Sequence, residues 1–202
     1  MQAERNAQAV GCLVIGDDMS GEGAISGLCA FLKERGAAAS VFSSHQPPAL
    51  HSELQRAYQA IRRQRAISAI VAAGAGCDAA LALAGQLPVD RLALLTGVGP
   101  DGSTENDSLA GPLRRIRAYA RRGEALCVSD VLVVQAGDAP RHLRLEYLAE
   151  ALVNCRVCGV KLPSGTWANR KENIKMGFYR FLVDGVLPKS LAESAEMCII
   201  YG

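Results

Sequence analysis

The sequence is poor in the residues on which most enzymatic and metal chemistry rests. Histidine occurs three times in 202 residues, at His45, His51 and His142, and no histidine pair completes a metal site. No apolar run reaches the roughly 18 residues needed to span a bilayer, so no membrane association is expected. The opening "MQAERNAQAVG" has no apolar stretch behind a basic end. It therefore does not read as a secretory signal, and a cytoplasmic protein is expected. Excess charge is lacking too. A formal net charge of +2 is too small to suggest a nucleic-acid partner, and the basic stretches "RRQR" (62–65) and "RRIRAYARR" (114–122) read as solvated helix faces.

Cofactor motifs are missing as well. Neither a dinucleotide fingerprint nor a P-loop occurs, and "GEG" at 21–23 reads as a tight turn into a helix rather than a phosphate cradle. No cofactor and no bound metal are expected. Cysteine is present but in the wrong pattern for a scaffold: there are seven, and Cys12, Cys29, Cys127 and Cys198 lie within apolar segments, where a free thiol behaves as a small hydrophobe. "CRVC" (155–158) has the spacing of half a zinc site, but no second half exists, and on a strand its two thiols face opposite sides.

What remains is the composition of a well-filled core, 50% hydrophobic against 21% charged, in a chain the size of one larger domain. With no repeat, low-complexity segment or linker in view, residues 1–202 read as a single domain. Residues 1–9 form an N-terminal extension and 186–202 a C-terminal one. Short apolar runs alternate with helical periodicity. "VGCLVIG" (10–16), "AAASVFSS" (37–44), "ISAIVAA" (67–73), "RLALLTG" (91–97), "VLVVQAG" (131–137) and "RVCGVKLP" (156–163) read as six strands. Helices are predicted over 23–36, 50–64, 78–87, about 112–122, 141–154 and about 169–184. Gly36 is placed to end the first of them. The ending "MCIIYG" suits one more short strand, through which a copy of the chain or another partner could dock.

Strands in alternation with helices predict an α/β fold, a three-layer doubly wound sandwich around a mainly parallel six-stranded sheet. The expected strand order is 2-1-3-4-5-6. Ligands of such sheets bind beyond the carboxyl ends of the strands, where strand order reverses.

Four segments in this order resemble the α/β-hydrolase family. "LVIGDDMSGEGAISGLCAFLKERGAAASVFSS" is similar to its early strand, oxyanion loop, first helix and next strand. "IVAAGAGCDAALALA" resembles the turn that carries the nucleophile. "VLVVQAGDAP" is similar to the strand before the catalytic acid, placing Asp138 there, and "VKLPSGTWANRKENIKMGFYRFLVDGV" to the final strand, the histidine loop and the closing helix. The resemblance implies a minimal member without two leading strands. The nucleophile turn lifts one side chain into the open between small neighbours. Two alignments compete: one puts Gly76 at the serine position and leaves no nucleophile, the other makes Cys77 the nucleophile, as in dienelactone hydrolases.

The rest of the triad is incomplete under either alignment, because a nucleophile needs a base and the base an orienting acid. Where the family places histidine stands Thr166, beside Trp167. His45 and His142 follow strands and are the available substitutes. Asp17 and Asp18 follow the first strand and Asp78 follows Cys77. Carboxylates there oppose a forming oxyanion and raise the thiol pKa. They suit helix capping, or a cation or amine ligand. A response-regulator reading fails because the third strand ends without an aspartate.

The expected protein is thus a hydrolase-like domain, degenerate in catalysis, with a small-molecule or protein ligand at the old active-site mouth formed by Asp17, Asp18, Gly76, Asp78 and Thr166. The rival is a thiol-dependent esterase or lactonase using Cys77 and Asp138.

Overall fold

A computed structural model of the chain describes residues 10–16, 24–43, 49–73, 76–96, 127–136, 156–162, 172–185 and 197–201. In chain order these form β1 (Val10–Gly16), α1 (Ala24–Glu34), β2 (Ala38–Ser43), α2 (Ala49–Gln64), β3 (Ile67–Ala73), α3 (Gly76–Ala84), β4 (Val89–Thr96), β5 (Val128–Ala136), β6 (Arg156–Leu162), α4 (Glu172–Asp184) and β7 (Met197–Tyr201). The helices expected over 112–122 and 141–154 lie outside the described residues.

The fold is α/β, with a mainly parallel sheet flanked by helices. Among the described residues its strands number seven and run in the order β2-β1-β3-β4-β5-β6-β7. Each neighbouring pair from β2 to β6 is parallel, while β7 is antiparallel to β6, with Gly159 opposite Ile199. The C-terminal segment thus forms the strand expected of "MCIIYG" and stands at the edge of the sheet beside β6.

Successive side chains of a strand point to opposite faces, so a strand covered on both sides must be apolar throughout. Every residue of β1 is buried. Its Val10, Cys12 and Val14 enter one core with Ala69 and Val71 of β3 and Leu132 and Val134 of β5, covered by α1 and α4. Leu13 and Ile15 enter the other, with Ile70, Ala72, Leu92 and Leu94, covered by α2 and α3. α1 and α4 also touch each other. Phe31 and Tyr179 meet edge to face with centroids 6.3 Å apart, and the Tyr179 hydroxyl donates to the Arg35 carbonyl at 2.9 Å. The Arg35–Glu172 ion pair at 2.6 Å is exposed on both sides and adds little.

Two helices stop at glycines in the left-handed region. Gly36 has φ 88°; its N–H donates to Lys33 and that of Ala37 to Leu32, satisfying two of the terminal carbonyls in a Schellman arrangement. Gly185 has φ 69° and donates to Phe181 at 2.8 Å. It also brings the chain tight against an ion pair, since a Cβ on Gly185 would sit 2.5 Å from Asp130 Oδ2 and 2.6 Å from Arg91 Cζ.

β4 and β5 begin earlier than the apolar pattern predicts, at Val89 and Val128 rather than 91 and 131. The reason is polar. Asp90 Oδ2 accepts from the Ser68 amide at 2.8 Å and from its hydroxyl at 2.7 Å, and the Tyr58 hydroxyl lies 2.9 Å from Ser68 Oγ and 3.0 Å from the Pro88 carbonyl oxygen. Arg91, opposite Asp130 in the β4–β5 register, pairs with its carboxylate at 2.5 Å. Ser68, Asp90, Arg91 and Asp130, at the amino ends of their strands, thus each meet a polar partner, which lets these residues continue the ladder.

Two measurements follow. Asp130 is 2% exposed and the Arg91 side chain 15%, so Asp130→Ala leaves a largely buried guanidinium without its counter-charge and should lower the unfolding free energy in urea by about 3 kcal/mol; a loss below about 1 kcal/mol would contradict the pairing. Burial above all, against a lowering by the Ser68 hydrogen bond, pushes the Tyr58 phenol from an ordinary 10 to about 12. A raised phenol keeps its full contribution to stability below about pH 10 and loses it as pH climbs toward 12. Tyr58→Phe should therefore unfold more easily at neutral pH yet show a shallower fall in stability between pH 10 and 12; an unchanged slope would exclude this coupling.

Candidate functional site

The sheet changes direction between β1 and β3: α1 leaves β1 toward β2, whereas α3 leaves β3 toward β4 on the other face. The carboxyl ends of β1 and β3 therefore flank the crevice where such folds hold ligands. Of the residues expected to line it, the structure describes Gly76, Cys77 and Asp78. Asp17, Asp18, Asp138 and Thr166 lie outside the described residues, as do His45 and His142.

α3 starts at Gly76, two residues before the predicted 78. The shift matters, because it turns Cys77 inward. Its side chain has 0% exposure and belongs to the core under α2 and α3. The thiol lies 3.6 Å from the Ala72 carbonyl oxygen and 3.9 Å from that of Leu95, held between the last turns of β3 and β4. Burial, and after it the Asp78 carboxylate, push the Cys77 thiol up to about 12. At neutral pH it is a protonated core residue.

Position 76 is closed to any side chain. A Cβ there would lie 2.6 Å from the Ile15 carbonyl oxygen and 3.1 Å from Gly16 Cα. These are backbone atoms at the carboxyl end of β1, which cannot swing aside. Glycine is required because α3 abuts the strand end directly. Of the two alignments of the turn, the first thus puts its nucleophile position where no side chain fits, and the second gives a thiol that faces the interior.

Asp78 is partly buried in the first turn of α3, where a carboxylate is favoured by the helix dipole. It does not precede the helix, so it is not the N-cap that the predicted boundary implied. Among the described residues, no group of three or more His, Cys, Asp and Glu side chains could hold a metal ion. No helix among them is long and apolar enough to cross a membrane.

No protein-family model matches the chain, and no curated protein matches it.

Sequence reasoning missed the polar residues at the opposite end of the sheet, Ser68, Asp90, Arg91 and Asp130. Their signal was available as charged residues flanking the apolar runs, but only the register brings Arg91 to Asp130. They hold the strand starts together and have no place in the carboxyl-end crevice.

Cys77 should resist iodoacetamide in the native protein at pH 7.5, whereas Cys127, which is exposed, should be alkylated. Peptide mapping after a short labelling pulse checks this, and comparable labelling of both would contradict the buried thiol. Gly76→Ala should cost about 1–3 kcal/mol in urea unfolding through overpacking against β1; a neutral substitution would mean that α3 is seated differently.

Proposed function

We propose that the chain is an α/β-hydrolase-like domain, its six parallel strands wrapped as in that family, which has lost hydrolysis and binds a small molecule in the crevice beyond β1 and β3. One observation carries the reading. At the turn where the family exposes its nucleophile, Gly76 has no room for a side chain and the Cys77 sulfur is wholly buried. Catalysis of acyl transfer needs a nucleophile within reach of solvent and substrate, a base beside it and donors aimed at the oxyanion. Neither candidate position supplies the first of these.

The crevice has a distinct electrostatic character in this reading. Asp17 and Asp18 follow β1 in sequence and Asp78 stands in the first turn of α3, and carboxylates supplied to the mouth from these positions favour a cationic ligand such as an amine or a divalent cation. The thiol hydrolase using Cys77 and Asp138 is the alternative, and it requires the buried sulfur to turn outward.

Nitrophenyl acetate separates the two. Turnover should stay at background, and Cys77→Ala should leave it there; robust turnover abolished by that substitution would establish the thiol hydrolase instead. For binding, thermal unfolding with Mg²⁺, Ca²⁺ and simple amines is the test. A ligand of the native state raises the midpoint with the logarithm of its concentration. Asp17→Asn and Asp78→Asn should raise the midpoint without ligand, by relieving repulsion, and blunt the ligand's effect. If both substitutions lower the midpoint and no cation shifts it, the carboxylates serve the helices alone.

A further inference from the structure

A second pair of thiols lies away from the crevice, in the core between β1 and α1. Cys12 is at the third position of β1, on the face shared with Val10 and Val14, and Cys29 is on the inner face of α1 beside Leu28 and Leu32; all six belong to one core cluster. The register of β1 and β2 sets Cys12 directly opposite Ala39, and the Cys29 thiol lies 3.9 Å from the carbonyl oxygen of that same Ala39. Neighbours in register on a parallel sheet are about 4.8 Å apart and point to the same side. The Cys29 sulfur therefore hangs over the strand pair at the level of Cys12.

We propose that Cys12 and Cys29 form a buried dithiol, a site of reversible oxidation at which a two-electron thiol oxidant creates an intramolecular disulfide pinning α1 to β1. The inference is independent of the function proposed above. Cys29 is 4% exposed and Cys12 0%, so Cys29 meets the oxidant first. With an azodicarboxamide such as diamide, the Cys29 thiolate adds to one nitrogen of the N=N bond and the other nitrogen takes up a proton. The Cys12 thiolate then attacks Cys29 Sγ. The S–N bond breaks as the S–S bond forms, and the departing nitrogen takes the second proton, leaving a hydrazine. The two thiols give up two electrons and two protons, and the azo compound gains both. Burial, and then the neighbouring Cys29, hold the Cys12 thiol well above the ordinary range. The second step therefore quickens with rising pH and with opening of the α1–β1 contact.

The sequence makes the product easy to identify. Trypsin cuts after Arg5 and Lys33, and the peptide between carries Cys12 and Cys29 as its only cysteines. The native protein is treated with diamide, unfolded in N-ethylmaleimide and digested. The expected product is this peptide, unlabelled and lighter than its reduced form by two hydrogens, with dithiothreitol restoring two maleimide-reactive thiols. The oxidised protein should melt about 5–10 °C higher than the reduced one, a difference absent in Cys29→Ala. Recovery of the peptide with both thiols labelled, under conditions that oxidise the exposed Cys127, would overturn the proposal. So would a disulfide from either residue to a different cysteine, since both outcomes require Cα atoms too far apart or wrongly aimed for a bridge. The mass measurement is made on the unsubstituted chain, so it decides the matter even if the variant folds poorly.

Discussion

The reversal of direction at β1 is the constraint on which the rest of this structure depends. The chain leaves β1 for β2 and then crosses back over β1 to reach β3. Crossovers of this kind are right-handed almost without exception, so reversing direction moves the next helices to the opposite face. α1 therefore covers one side of β1, and α2 and α3 the other. A strand enclosed in this way has no solvated face, and β1 is accordingly a continuous apolar run with every residue buried.

That enclosure dictates where polar groups fit. Within the middle of β1, β3, β4 and β5 a polar side chain would have no water and few partners. At the amino ends the chain supplies partners deliberately: Asp90 for Ser68, Tyr58 beside Ser68, and Arg91 for Asp130. Gly185 covers the ion pair so closely that even a methyl group would collide with it. The carboxyl end of β1 is closed by contact of another kind, the α3 backbone at Gly76 resting against Ile15. One end of the sheet is thus locked by complementary charge and the other by the absence of a side chain.

The same physics explains what could be read in advance. Doubly buried strands announce themselves by unbroken apolar runs, which is why β1 and β3 have the limits expected from "VGCLVIG" and "ISAIVAA". Gly36 was legible as a helix stop because the left-handed conformation there has few other occupants. The starts of β4 and β5 were not legible. Asp90 and Asp130 look like loop residues until the sheet sets Asp90 against Ser68 and Asp130 opposite Arg91, and register is a property of two distant segments. The site was harder still. Cys77 and Gly76 differ by one position, and which of them faces the crevice depends on where α3 begins. Alanine-rich sequence after a glycine turn offers no signal for that boundary.

The contest at Cys77 can then be settled by magnitude. A thiol near a helix N-terminus gains from the dipole, an effect worth about 0.3–1 kcal/mol at the surface and up to about 2 kcal/mol in favourable partly buried geometries. Burial works against it. Raising the thiol from an ordinary 9 to about 12, by burial first and by the Asp78 carboxylate in the same turn second, corresponds to roughly 4 kcal/mol against the thiolate in all. The dipole cannot recover such a deficit. An exposed cysteine at the same turn, without the aspartate, would have the balance reversed and could ionise near neutrality. The difference between a reactive thiol and an inert one here is therefore less the choice of cysteine than the placement of the first turn of α3, which aims the sulfur at Ala72 and Leu95 and away from the crevice.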